Sequence, residues 1–310
     1  MPLTHARTFR VRYYECDARG HVSSGSYLRY MQEAAFDASA AAGYDLARYD
    51  AMGRLWLVRE TEIEHLAPLR YGDSVEVRTW VADFRRIRSR RAYELCDAGS
   101  GRSVARAQTD WVYLDQAAGM PASIGPGLVA AFHPEGKPPI APPRSRFPAG
   151  PPPPGGAFHL RRRVDLRDLD QAGHVNNAVY LDYLDDCHAR SLEAYGWPEE
   201  RLWDHQLSLV ARKHRIEYKQ PALLNDDLEI TTWASSANEE GMVRHYAVAR
   251  GSDGALVAQA RSLFQWMDPT RSRLETGPES FLGDLSPNIA DALTGGRQSN
   301  TVNAEKRMGK

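Results

Sequence analysis

A related run of residues occurs twice in this chain, 153 positions apart and without a gap. Residues 17–30 read Asp-Ala-Arg-Gly-His-Val-Ser-Ser-Gly-Ser-Tyr-Leu-Arg-Tyr. Residues 170–183 read Asp-Gln-Ala-Gly-His-Val-Asn-Asn-Ala-Val-Tyr-Leu-Asp-Tyr. The register then persists: Gly43 with Gly196, Pro68 with Pro221, Asp73 with Asp226, Trp80 with Trp233, and Asp115 with Asp268. One fold must serve twice, and a polar cluster recurs in both copies. A chain of 310 residues has room for that pair of domains.

Each copy reads as a strand, a loop, one long helix and four further strands. Leu28, Met31, Ala35, Ala38 and Ala42 recur at helical spacing, and the helix is expected over 24–42. Leu181, Leu184, His188 and Leu192 do the same within an expected helix over 177–195. Ser23/Ser24 and Asn176/Asn177 are good N-cap types, and Gly43 and Gly196 supply the left-handed stop. Later segments such as Ser74-Val-Glu-Val-Arg-Thr-Trp and Asp227-Leu-Glu-Ile-Thr-Thr-Trp alternate with period two. The expected class is α+β, with a helix against an antiparallel sheet in each half.

The expected boundaries are an N-terminal domain over 1–132, a Pro-rich linker over 133–157, a C-terminal domain over 158–276 and a flexible tail over 277–310. A net charge of −1 supplies no strong field for nucleic acid or a membrane surface. No run of 18 apolar residues offers a membrane span, and the first residues lack the apolar core of a signal peptide. Three cysteines without paired spacing argue against a disulfide framework or a zinc site. These features point to a cytoplasmic protein.

The segments Tyr14-Glu-Cys-Asp17-Ala-Arg-Gly20-His21-Val22 and Leu166-Arg-Asp-Leu-Asp170-Gln-Ala-Gly173-His174-Val175-Asn176-Asn177 resemble the signature loop of hotdog-fold thioesterases. The nearest groups are the hydroxybenzoyl-CoA thioesterases and the plant-type acyl-ACP thioesterases. The resemblance implies a tandem hotdog fold, each half a five-stranded antiparallel sheet wrapped around one long helix. It implies hydrolysis of acyl-CoA or acyl-carrier protein, no metal or redox cofactor, and sites at the interface of paired hotdogs. Pairing of whole tandems into a homodimer is compatible with it.

An aspartate before a helix N-terminus stays ionised, so it can orient water, deprotonate it or attack directly. By the resemblance those aspartates are Asp17 and Asp170. Free N–H groups in a helix's first turn suit an oxyanion; the resemblance implies that these include the N–H of Ser24 and of Asn177, and His21 and His174 are expected to donate a hydrogen bond or hold the loop. Gly20, Gly173, Val22, Val175, Asn176, Tyr27 and Tyr180 are expected to line the substrate. Arg88 and Arg90, in a basic run at a predicted hairpin, are expected to meet phosphates of coenzyme A or a carrier's acidic face. Glu33 and Asp186 form a second acidic pair, because one branch of the family uses a glutamate on this helix. Cys16 is set aside, since the other copy carries Leu169 there.

The plant-type asparagine two residues after the aspartate is replaced by Arg19 and Ala172. A structural reading makes both aspartates turn caps; their recurrence with Gly-His-Val favours chemistry. Two further functions stand beside hydrolysis. A hotdog enoyl-CoA hydratase or dehydratase would show Asn-Pro between aspartate and histidine, and neither copy does. A non-catalytic acyl-CoA-binding protein would keep the pocket and lose turnover.

Overall fold

In a computed structural model, residues 2–136, 145–268 and 273–290 are described. The first half contains β1 (Thr4–Arg10), α1 (Ser24–Ala41), α2 (Leu46–Ala51), β2 (Arg54–His65), β3 (Ser74–Phe84), β4 (Arg88–Asp97), β5 (Ser103–Asp115) and α3 (Pro126–Phe132). The second contains β6 (Phe158–Arg163), α4 (Val179–Ala194), α5 (Glu199–Asp204), β7 (Ser208–Tyr218), β8 (Asp227–Asn238), β9 (Gly241–Arg250), β10 (Leu256–Asp268), β11 (Arg273–Leu274) and α6 (Glu279–Leu285). Each half is a five-stranded antiparallel sheet around its long helix, with a two-residue strand, β11, added to β10.

The two sheets are one. The strand order is β1-β3-β4-β5-β2-β7-β10-β9-β8-β6, and β2 pairs with β7 from Glu60↔Glu217 to Glu64↔Lys213. Opposite charges lock that seam: Arg59 Nη2 to Glu217 at 2.8 Å, Lys213 Nζ to Glu62 at 2.6 Å and Arg215 Nε to Glu60 at 2.7 Å. The long helices meet on the local twofold, where Arg29 and Asp182, equivalent in the repeat, pair at 2.5 Å. Gly25 permits this approach, because a Cβ there would lie 2.3 Å from Asp182 Oδ1.

The helical stripes face inward as the spacing predicts. Leu28, Met31, Ala35 and Ala38 are buried on α1, and Leu181, Leu184, His188 and Leu192 on α4. Both helices end before glycines at φ +80° and +79°. The expected caps are partly replaced. Ser23 Oγ meets Ser26 Oγ at 2.9 Å, while Asn176 Oδ1 accepts from the Ala178 N–H at 2.9 Å.

The expected tail needs correction. Residues 279–285 form α6, and Phe281, Leu285, Asn288 and Ala290 are buried. This segment is the last element of the second copy, since α3 and α6 begin and end at the same offset. Residues 291–310 and 137–144 of the expected tail and linker lie outside the described residues. The described linker lies along the second half, where Arg215 Nη2 donates to Ser145 O at 2.9 Å and Trp233 Nε1 to Pro151 O at 3.1 Å.

Candidate active site

Each signature loop is a tight turn leading into its long helix. Asp17 N–H donates to His21 O at 2.7 Å, and Asp170 N–H to His174 O at 3.0 Å. The turns need φ near +76° and +79°, which Gly20 and Gly173 adopt without strain. Asp17 Oδ1 accepts from the N–H of Arg19 and of His21, both at 2.9 Å. Asp170 Oδ1 accepts from the Ala172 N–H at 2.9 Å. One oxygen of each carboxylate therefore braces its own turn. The N–H groups of Ser24 and Asn177 have no acceptor among the described residues.

The halves differ in what lies behind these loops. A cavity of about 1440 Å³ fills the space between α1 and the sheet of the first half. It is lined at one end by Asp170, His174, Val175, Asn177 and Tyr180, and elsewhere by Tyr49, Trp56, Phe84, Arg91, Trp111 and Phe132. The same space in the second half is packed solid by Leu192, Trp197, Leu202, Leu209, Met242, Phe264, Trp266, Phe281 and Leu285. Three facing positions account for much of the difference. Ala35, Ser39 and Ser89 line the cavity, where the other copy places His188, Leu192 and Met242. His188 stacks on Phe264 with ring centroids 4.0 Å apart.

At the Asp170 end, a side chain of the other half completes the cluster. Gln32 Oε1 on α1 accepts from Asn176 Nδ2 at 3.0 Å, and that nitrogen lies 3.5 Å from Asp170 Oδ2. His174 Nδ1 stands 3.7 Å from Asp170 Oδ1. Tyr218 Oη donates to Asn177 O at 3.0 Å, holding the start of α4.

Asp17 is itself exposed, and the groups behind its loop are engaged by protein partners. Arg19 forms an ion pair with Glu199 of the second half. Ser24 Oγ lies 3.2 Å from His214 Nε2, and His214 Nδ1 lies 2.8 Å from Ser262 Oγ. Burial, then the carboxylates of Asp182, Asp186 and Asp17, push Asp185 up to about 7. Burial and Arg70 lower His21.

Of the expected site residues, the cavity gathers Asp170, His174, Val175, Asn177 and Tyr180, with Asn176 bonded to the cavity-lining Gln32. Gly173 forms the turn beneath them. Asp17, Gly20, His21, Val22 and Ser24 are not in the cavity lining, and Tyr27 is a core residue packed edge-on to His65. Arg88 and Arg90 are not brought to the cavity. Neighbours on β4 alternate faces, so Ser89 and Arg91 point in, while Arg90 bonds Asp110 at 3.0 Å. Glu33 lines the cavity and lies 3.6 Å from Arg7, whereas Asp186 is not in its lining and pairs with Arg162 at 3.1 Å. Their predecessors, Gln32 and Asp185, are the pair turned to the loops. The signal was present: Gln32 falls four after Leu28 and Asp185 four after Leu181, on the buried stripe.

The histidines behind the Asp17 loop make stability depend on pH. Burial lowers His214 to about 4 and His65 to about 3, against about 6.5 for an unfolded imidazole. Below about pH 6.5 the unfolded chain therefore binds more protons than the folded one. Stability from these groups is full above that pH, falls as pH drops, and from His214 is gone near its folded value. The urea midpoint should be flat between about pH 8 and 7 and lower at about pH 5, with a shallower fall in His214→Gln. A fall of the same size in that variant would contradict the assignment.

Among the described residues, no group of His, Cys, Asp or Glu could hold a metal ion, and no helix is long and apolar enough to cross a membrane. Residues 2–132 match the acyl-ACP thioesterase N-terminal domain family, and residues 164–285 match the thioesterase-like superfamily. A chloroplast acyl-[acyl-carrier-protein] hydrolase of Cuphea viscosissima is 24% identical over 298 residues, covering 92% of this chain and 68% of that protein. The long-chain acyl-CoA thioesterase FadM of Escherichia coli K12 is 30% identical over 103 residues, covering 32% of this chain and 75% of that protein. A structure from Lactobacillus plantarum described as an oleoyl thioesterase superposes with a TM-score of 0.73 at 20% identity, covering 85% of this chain and 96% of that one. With two matched domains on one continuous hotdog sheet, this chain belongs to the thioesterase superfamily.

Proposed function

We propose that the chain hydrolyses acyl thioesters, of coenzyme A or a carrier protein, at one site built on the Asp170 loop. The observation that carries this reading is that the large cavity opens onto Asp170, His174 and Asn177, while the space behind Asp17 is filled. The acyl chain lies between α1 and its sheet, and the thioester carbonyl rests over the N-terminus of α4. There the Asn177 N–H, which has no acceptor among the described residues, donates to the oxygen as negative charge develops on it.

Asp170 has one oxygen tied to the Ala172 N–H and the other turned towards Asn176. That second oxygen takes a proton from water as the water oxygen attacks the carbonyl carbon; the carbon–sulfur bond breaks and the thiol leaves with that proton. Alternatively it attacks the carbon itself and expels the thiolate, leaving a mixed anhydride on Asp170; water then hydrolyses the anhydride to the acid, restoring the carboxylate and supplying the thiol's proton. Gln32 keeps the Asn176 amide aimed, so both halves contribute to one site. A cytoplasmic location and coenzyme A or carrier protein as alternative donors belong to the same reading.

Thiol release from a panel of acyl-CoAs and acyl-carrier proteins tests the reaction. No release from any of them, with an intact fold, would sink it. The place of the chain is tested by giving the first half the second half's filling. Ser39→Leu with Ser89→Met should lower kcat/KM for long acyl chains by about 10–200-fold while the melting temperature holds. Unchanged turnover of long chains would move the acyl group elsewhere.

A further inference from the structure

Arg91 is buried on β4, 6% exposed, and lines the cavity beside Phe84 and Phe132. Its Nη1 donates to Thr79 Oγ1 at 3.4 Å, and its guanidinium stands 5.5 Å from the centre of the Phe132 ring. Among the described residues it has no ion pair. A buried guanidinium with so few acceptors is costly unless something else meets it.

The second copy holds its guanidinium with more acceptors, although Arg244 Nε has no hydrogen-bond partner among the described residues. Arg244, at the equivalent place on β9, directs Nη1 to Ser191 Oγ at 2.8 Å, Thr232 Oγ1 at 3.3 Å and Asn288 Oδ1 at 3.4 Å. Thr79 is the counterpart of Thr232. Ala38 replaces Ser191, and the exposed Glu135 stands at the place of Asn288. Two of three acceptors are therefore gone in the half that is hollow, and kept in the half that is solid.

Building on the hydrolase reading above, we propose that Arg91 receives a carboxylate at the far end of the acyl chain. The favoured substrates are then thioesters of dicarboxylic acids, with one carboxyl esterified and the other free. A carboxylate fits because it accepts two parallel bonds from one guanidinium. Thr109, opposite Arg91 on β5, and Ser89 line the same cavity and add hydroxyl groups to that wall.

The test compares coenzyme A thioesters of equal carbon number, methyl-ended against carboxyl-ended, in wild type and Arg91→Met. Carboxyl-ended chains should be favoured at some length by at least about tenfold in kcat/KM. Arg91→Met should lower the ratio of carboxyl-ended to methyl-ended kcat/KM at that length by about 30-fold or more. Preference for methyl ends at every length, or equal loss on both classes, would overturn the proposal. If no thioester is cleaved, the hydrolase reading fails, and free acids decide the Arg91 proposal alone. Dicarboxylic acids should then raise the melting temperature of wild type more than monocarboxylic acids of the same length, and equal shifts would refute it. If Arg91→Met does not fold, the wild-type preference decides.

Discussion

Asp170→Asn is expected to lower kcat by about 10²–10⁴-fold, while Asp17→Asn stays within about threefold of wild type. The two substitutions are chemically identical and sit in equivalent turns, so the contrast isolates what surrounds them. Asparagine keeps an oxygen for the Ala172 N–H, and the turn at Asp170 should survive. What it loses is the oxygen that acts on water or carbon. KM should change little, because the acyl chain is held by the cavity wall. At Asp17 the carboxylate braces two N–H groups of its own turn, and it is not in the lining of the large cavity. Steady-state thiol release with both single variants and the double variant reads this directly. Equal losses would mean two working sites; loss at Asp17 alone would reverse the assignment.

Phe281→Ala should remove about 3–5 kcal/mol of stability, the range for truncating a fully packed aromatic core residue. Phe281 is 2% exposed and meets Trp197 and Trp266 edge-on, at 5.3 and 4.7 Å between ring centroids. Trp197 also donates Nε1–H to Asp284 at 3.1 Å, so the segment is fixed by a polar contact as well. Urea unfolding monitored by tryptophan fluorescence would show a lower midpoint. A loss below about 1 kcal/mol would mean that α6 is not part of the second core.

The duplication, both long helices and the alternating strands were legible because each depends on local spacing. The closing helix of each copy was missed for a different reason. Leu128 and Phe281, Phe132 and Leu285, and Pro134 and Pro287 keep the repeat's offset, but few identities survive there and Gly, Ser and Pro suggest a loop. Which interior is hollow was less accessible still. It depends on Ala35, Ser39 and Ser89 facing one another across a helix and a sheet, and only the pairing of those elements brings small residues together. Glu33 and Asp186, the second acidic pair, form ion pairs with Arg7 and Arg162, one residue of helical phase, a rotation of about 100°, from Gln32 and Asp185.

The continuous polypeptide and the β2–β7 seam change how such a protein can diverge. In a dimer of identical subunits, every substitution is made twice. An interior opened for substrate would then be opened on both sides, and both cores would loosen together. Here a substitution lands in one half alone. One copy has been free to become a container, with Arg91 left facing space. The other kept its interior filled and, on the proposed reading, supplies the loop that acts on what the first one holds.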